Sequence, residues 1–368
     1  MNHSLCVRTV IDARARTTKY LYQVLLLAAS WHKHVRHNAP LEVMIVGEPP
    51  EALCRFLESL GVFWTTVDPD PNDAISKTSN TIVGAVDTVG RRILLVDNDV
   101  MFWGDLSELM HVDGNLCQGS VAGAIRVADA QWKVISEHLG FSPLPSSLIP
   151  LGQRTRAVVN VDYQPKALSN VYVNGGVLLL PEGDRFGIAW RRYVREIAEL
   201  FERHALRTKS VYGSNMAGLA MAIADHGRFE WLDLRYNYRA DCFVLGLESP
   251  EQIEIVHLTG FDDSHRSVTK RIEAYWQGKM MKRFGKVKPA LTREEQERRL
   301  AIIDEFRQEL LSLVREYDLD GWGEQLPKNI GHLWETKMYA NVFRPLKATY
   351  GMVLGSMANV RRRLRSAA

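Results

Sequence analysis

The stretch Arg91-Arg-Ile-Leu-Leu-Val-Asp97-Asn98-Asp99-Val100 decides the fold of this 368-residue chain. Its apolar run, Ile93 to Val96, is typical of a strand buried in a parallel sheet. Ligands of open α/β sheets bind beyond the carboxyl ends of such strands. Asp97 and Asp99 follow the run directly, so they predict a site for a divalent cation of the Mg²⁺ or Mn²⁺ type. The alternative is a strand followed by an acidic turn without a ligand.

Strand and helix signals alternate around this stretch. Alternation of this kind predicts an α/β fold with helices on both faces of a mainly parallel sheet. Strands are predicted at 4–11, 41–46, 62–67, 93–96, 121–127 and 253–258, with a strand pair or bent strand at 171–180. Helices are predicted at 20–35, 50–60, 76–89, 186–204 and 214–224.

The composition excludes several classes of protein. Hydrophobic residues make up 46% of the chain and charged residues 24%, which is typical of a folded globular protein and not of a disordered one. Lys and Arg number 46 against 43 Asp and Glu, so the excess of +3 gives no nucleic-acid-binding surface spread over the protein. The four cysteines form no CxxC pair and the N-terminus lacks a signal-peptide pattern, so we expect reduced thiols in a cytoplasmic protein.

Three further motifs lie at the ends of predicted strands. Asn174-Gly175-Gly176 stands between apolar runs, where a glycine pair marks the close approach of another backbone or a ligand. Asn237-Tyr238 belongs to a polar aromatic segment. His257, followed by Gly260, ends a predicted strand; a histidine there is either a structural residue or a metal ligand.

In this order the motifs resemble those of glycosyltransferases of the GT-A fold, and most closely glycosyltransferase family 8, over roughly residues 4–270. The resemblance implies an α/β, GT-A-like (Rossmann-like) fold, with a mainly parallel twisted sheet flanked by helices and an α-helical C-terminal region. It implies Mn²⁺ or Mg²⁺ as cofactor, with Asp97, Asp99 and His257 as its ligands. Asp97 would also lie near the nucleotide ribose. It further implies donor contacts from four positions, namely Asn174, Gly175, Gly176 and Gly260.

The same resemblance implies the reaction. A hexose would move from a nucleotide diphosphate sugar, expected to be a UDP-sugar, to an unknown acceptor with retention of anomeric configuration. A cation is suited to this chemistry because the departing group is a dianionic diphosphate.

The chain departs from the family pattern at two places. The family usually has an Asp-Gln pair at the start of a helix, where this chain reads Ser214-Asn215-Met216; Asn215 is therefore the matched catalytic candidate. A lysine usually follows His-x-x-Gly, whereas Phe261 follows here, so the diphosphate contact is expected from His265, Arg266 or Lys270. Two more candidates lie elsewhere: a donor contact at Lys77 and a sugar or acceptor contact at Asp129.

Two other functions account for part of the pattern. Haloacid-dehalogenase-like phosphatases also end an apolar strand in Asp-x-Asp, the first aspartate being a nucleophile and the second an acid/base beside Mg²⁺. Their motif usually lies on the first strand, and the Asn174-Gly175-Gly176 segment has no role in them. A non-catalytic sugar-nucleotide-binding relative is the other alternative, favoured by the missing Asp-Gln pair.

The composition changes near residue 270. We predict a catalytic domain at 1–270 and a helical C-terminal region at 271–368. Thr292-Arg-Glu-Glu295 is a capping box that predicts the start of a helix. The basic aromatic segment 334–365 either packs on the protein or a second subunit of a homo-oligomer, which we favour, or contacts a membrane surface peripherally.

Overall fold

The computed structural model describes residues 5–13, 19–37, 39–68, 91–121, 127–145, 172–204, 212–245, 253–258, 261 and 267–327. The described strands are β1 (Leu5–Asp12), β2 (Leu41–Val46), β3 (Phe63–Val67), β4 (Arg92–Val96), β5 (Val100–Phe102), β6 (Cys117–Val121), β7 (Val173–Leu180), β8 (Phe229–Trp231), β9 (Tyr238–Arg239) and β10 (Ile255–His257). The described helices are α1 (Lys19–His34), α2 (Glu51–Ser59), α3 (Asp129–Leu139), α4 (Arg185–Arg203), α5 (Tyr212–His226), α6 (Val268–Tyr275), α7 (Lys282–Val287), α8 (Arg293–Glu316) and α9 (Leu319–Gln325).

The larger sheet has the strand order β3-β2-β1-β4-β7-β6-β8. Among these described strands, only β7 runs antiparallel to its neighbours; β1 to β4 are parallel, and β6 is parallel to β8. The predicted α/β class with a mainly parallel sheet between helices is thus confirmed. A smaller sheet has the order β5-β10-β9, and it begins directly after the acidic turn that follows β4.

The two faces of the larger sheet bury different cores, because successive strand side chains point to opposite sides. On β4, Ile93 and Leu95 join the core formed with α3, α4 and α5. Leu94 and Val96 join the other core, which contains α1, α2 and the small sheet. Burial on both faces explains why the run before Asp97 is apolar without alternation.

The helices after residue 267 pack on this second core. α8 buries Ile303, Phe306 and Leu310, the positions that recur at helical spacing in the sequence. Its first turn has the predicted capping box: the Glu295 N–H donates to Thr292 Oγ1 at 3.2 Å, and the Thr292 N–H donates to Glu295 Oε2 at 2.8 Å. The domain boundary near residue 270 stays a prediction, and segment 334–365 lies outside the described residues.

Some predicted elements differ from the structure. The strand predicted at 121–127 meets the observed β6, Cys117–Val121, only at residue 121; the start of β6 at Cys117 was missed, and residues 122–126 lie outside the described part. Pairing with β7 and β8 decides this strand, although its own sequence, Cys-Gln-Gly-Ser-Val, has a weak strand signal. The segment at 171–180 is a single strand, β7, from residue 173. The predicted helix at 76–89 also lies outside the described residues.

Within the described ranges, every helix is too short or too polar to cross a bilayer.

Glu309 on α8 ties that helix to α1. Its carboxylate lies 2.8 Å from Lys33 Nζ and 3.3 Å from His34 Nε2, at the C-terminal end of α1. The hydrogen bond from His34 lowers the pKa of Glu309, and Lys33 lowers it further, whereas burial raises it. The net effect is a pKa lowered from 4.5 to about 2. A lowered carboxyl pKa stabilises the fold above the unfolded-state value, and the contribution is lost as the pH falls towards 2.

We therefore expect Glu309→Gln to lower the free energy of unfolding by about 1–2 kcal/mol at pH 7. The difference from the unsubstituted protein should shrink as the pH is lowered from 4.5 towards 2. Urea unfolding at several pH values measures it. Glu316→Gln is the matched control, because Glu316 is more exposed and lies 3.7 Å from Lys33. Equal effects of the two substitutions at pH 7 would contradict the role of Glu309.

Candidate metal and donor site

Three potential ligands meet where the two sheets adjoin. Asp97 follows β4, Asp99 precedes β5, and His257 ends β10. One ligand atom from each lies within 4.8 Å of the others. His257 Nε2 is 3.2 Å from Asp99 Oδ1. Two carboxylates and an imidazole are a donor set that can hold a divalent cation, and three protein ligands leave further coordination positions for a substrate.

Backbone hydrogen bonds fix the acidic turn. The Asp97 N–H donates to the carbonyl of Gly176 at 2.8 Å, and the Leu258 N–H donates to the carbonyl of Asp99 at 2.6 Å. The first bond joins the turn to β7 of the larger sheet, and the second joins it to the end of β10. The acidic turn is therefore held between β7 and the end of β10, with both aspartate side chains half-buried beside a buried histidine.

Opposing effects act on the pKa of His257. Burial of the ring lowers it, whereas the charges of Asp99 and Asp97 and the bond to Asp99 raise it, and the net direction is upward. Arg239, the register partner of His257 on β9, also lowers it. The carboxylates thus outweigh burial, and they favour a positive charge between His257 Nε2 and Asp99.

Amide side chains lie behind the ring. His257 Nδ1 lies 3.1 Å from Asn237 Oδ1. Asn237 Nδ2 donates to Asn174 Oδ1 at 3.4 Å, and the Gly176 N–H donates to the same oxygen at 2.7 Å. Asn237 ends a short 3-10 segment, Leu234–Asn237, immediately before β9. The sequence marked Asn237 as part of a motif but gave it no role.

Gly176 approaches the histidine closely. A Cβ on this residue would lie 2.8 Å from His257 Nδ1 and 2.7 Å from Asn174 Oδ1, which is too close for a real side chain. At Gly175 a Cβ would meet no described atom within 4 Å. The close approach predicted for the glycine pair therefore applies to Gly176 and the His257 ring, while Gly175 has open space beside it.

A buried ion network supports the small sheet from the other side. Asp241 is 1% exposed and pairs with Arg239 at 2.6 Å and with Arg283 of α7. Sequence reasoning missed this network. Arg239 and Asp241 are close in the chain, but no local pattern indicates that Arg283 reaches them from a helix more than forty residues away.

The remaining predicted residues have separate positions. Asn215 is on the first turns of α5, where its backbone carbonyl accepts a hydrogen bond from Trp190 Nε1 at 3.3 Å. Asp129 is exposed at the first residue of α3. Their catalytic roles stay predictions. The other donor candidates lie outside the described residues and stay predictions too: Lys77, Gly260, His265 and Arg266.

We expect Gly176→Ala to weaken Mn²⁺ binding by about tenfold or more, because the added methyl must displace the His257 ring. Gly175→Ala is the matched control and should keep both the Mn²⁺ affinity and the melting temperature. Titration calorimetry with Mn²⁺ alone measures the first quantity. Wild-type affinity in Gly176→Ala would show that the close contact does not position the ring.

Comparison with known proteins found similarity in solved structures. No protein-family profile matches the chain, and no curated protein does either. The galactosyltransferase LgtC, solved with donor and acceptor sugar analogues, is 15% identical over 74% of this chain and 99% of LgtC, with a TM-score of 0.43. GlyE of Streptococcus pneumoniae is 15% identical over 77% of this chain and 64% of GlyE, with a TM-score of 0.42. The bifunctional WbbM is 12% identical over 77% of this chain and 52% of WbbM, with a TM-score of 0.41. All three neighbours are glycosyltransferases.

Proposed function

We propose that the chain is a metal-dependent glycosyltransferase that moves a hexose from a nucleotide diphosphate sugar, a UDP-sugar, to an acceptor with retention. The observation that carries the proposal is the cluster of Asp97, Asp99 and His257 at the carboxyl end of β4. This is the edge at which open α/β sheets bind their ligands. The three side chains present a donor set for Mn²⁺ or Mg²⁺ with coordination positions to spare.

Each ligand has a definable task in this reaction. Asp97 and Asp99 supply anionic oxygens, and His257 supplies a neutral nitrogen from Nε2. A divalent cation held by them stabilises the diphosphate as the bond to the sugar breaks. The half-buried carboxylates hold their positions through the backbone bonds of Asp97 and Leu258, so little reorganisation is needed when the donor binds.

Donor contacts are assigned by the same logic. Asn174 directs its side-chain oxygen to the Gly176 N–H and the Asn237 amide, so its amide nitrogen is the atom available to a donor sugar. The open space at Gly175 suits a sugar lying against its backbone. Asn215, a neutral amide, would orient the donor or acceptor through hydrogen bonds. Gly260, His265, Arg266 and Lys77 would contact the donor as the motif order implies.

We expect UDP to bind in the presence of Mn²⁺ and to bind at least about tenfold more weakly when EDTA removes the metal, because the diphosphate would coordinate the ion. Titration calorimetry measures this, and a screen of UDP-sugars for metal-dependent hydrolysis then identifies the donor. Cleavage of a generic aryl phosphate without UDP binding would indicate the phosphatase alternative. Metal-dependent UDP binding without hydrolysis or transfer from any UDP-sugar would indicate a non-catalytic relative.

We also expect Asp97→Asn and Asp99→Asn each to abolish sugar-nucleotide turnover while the circular dichroism spectrum stays unchanged. A carboxamide cannot replace an anionic oxygen as a ligand for a hard cation. Asp113→Asn is the control, since Asp113 is an exposed carboxylate that pairs with Arg228. Full turnover of either cluster variant at saturating Mn²⁺ would refute the assignment of these aspartates as ligands.

A further inference from the structure

We propose that Asn237 is a positioning residue that fixes the tautomer and orientation of the His257 ring. The orientation of the Asn237 amide is in turn set by Asn174, whose own amide is oriented by the backbone N–H of Gly176. The inference rests on the proposed metal site, because only a ring with a free Nε2 lone pair can ligate there. It assigns a role to a residue that contacts no metal or substrate itself.

The first step concerns Asn174. A backbone N–H can only donate a hydrogen bond. The side-chain atom of Asn174 that lies 2.7 Å from the Gly176 nitrogen must therefore be its oxygen. This bond within β7 thus fixes which way the Asn174 amide faces, without reference to any other side chain.

The second step concerns Asn237. The Asn174 oxygen is an acceptor, so the Asn237 atom 3.4 Å away must be the amide nitrogen. The other end of the Asn237 amide is then the oxygen, and it lies 3.1 Å from His257 Nδ1. The reversed amide would place two oxygens against each other on one side and a nitrogen against Nδ1 on the other.

The third step concerns the ring. An amide oxygen only accepts, so His257 Nδ1–H must donate to it. In the neutral ring the lone pair is then on Nε2, the nitrogen that lies 3.2 Å from Asp99 Oδ1 and faces the proposed metal. Asn237 is 6% exposed and His257 is 4% exposed, so bulk water has little access to replace these bonds.

Gly176 has a second part in this arrangement. Besides donating to Asn174, it leaves room for the ring, because a Cβ would collide with both His257 and Asn174. Gly176 therefore supplies the N–H that begins the hydrogen-bond chain, and it leaves the space that the His257 ring occupies at the end of the chain. The sequence Asn174-Gly175-Gly176 encodes both functions within three residues.

The test compares Asn237→Leu with Asn237→Asp in the full chain. Nitrogen NMR of the ring in metal-free protein, at alkaline pH where the ring is neutral, reports the tautomer. The unsubstituted protein and Asn237→Asp should carry the proton on Nδ1, because the aspartate still accepts there. Asn237→Leu should shift the proton to Nε2 in a large fraction of molecules. Titration with Mn²⁺ should show about 10–100-fold weaker binding for Asn237→Leu and partial or full recovery in Asn237→Asp.

Gln118→Leu is the matched control, because it also replaces a buried amide by leucine but lies outside the hydrogen-bond chain. It should change neither the tautomer nor the Mn²⁺ affinity. Asn174→Leu serves if Asn237→Leu does not fold, since it removes the acceptor that orients Asn237, and it should increase the population of the Nε2–H form.

The outcomes separate this inference from the proposed function. An Nε2–H ring in the unsubstituted protein, or wild-type tautomer and Mn²⁺ affinity in Asn237→Leu, would overturn the role of Asn237 even if the protein transfers a sugar. An Nδ1–H ring that shifts as expected, in a protein without UDP-sugar turnover, would support the positioning role and count against the transferase.

Discussion

The contact between β7 and the His257 ring is the constraint on which the site depends. In the described part of the larger sheet, β7 is the one strand that runs against its neighbours, and it pairs directly with β4. This pairing places Asn174 and Gly176 beside the acidic turn, where the Gly176 carbonyl accepts the Asp97 N–H. The pairing of β10 with β5 in the small sheet then places His257 beside the same acidic turn. A side chain at residue 176 would displace the His257 ring, so the ring lies against β7 because residue 176 has none.

Long-range contacts hold the small sheet in that position. On one side, Ser30 Oγ of α1 accepts the backbone N–H of Phe102 on β5 at 3.1 Å. On the other, Asp241 pairs with Arg239 and with Arg283, so the strand beside His257 is tied to a C-terminal helix. A buried ion pair adds little net stability compared with apolar packing, but it penalises other arrangements strongly because an unpaired buried charge is costly. We therefore expect the network to specify the position of the small sheet more than to stabilise the fold.

The sequence predicted the parts of the site that depend on local pattern. Unbroken burial of Ile93 to Val96 and the close approach at the glycine pair follow from residue types that admit few alternatives. The sequence missed the start of the strand at Cys117, because its pairing partners decide it and its own composition does not. Asn237 and Arg283 could not be assigned roles, since their partners are distant in sequence and each contact depends on how the two sheets and the C-terminal helices assemble.

The hydrogen bond at His257 Nδ1 and the charges of Asp97 and Asp99 together determine what can occupy the space beside His257 Nε2. With Nδ1–H committed to Asn237, the proton or cation that His257 shares with Asp99 must be on the Nε2 side. Burial lowers the pKa of His257, but the charges of Asp99 and Asp97 raise it by more, so they favour the doubly protonated ring with a second proton on Nε2. A divalent cation would take the place of that proton and satisfy Asp97 as well. In the proposed metal site, a cation would then exchange with that proton at a position that the two sheets already hold.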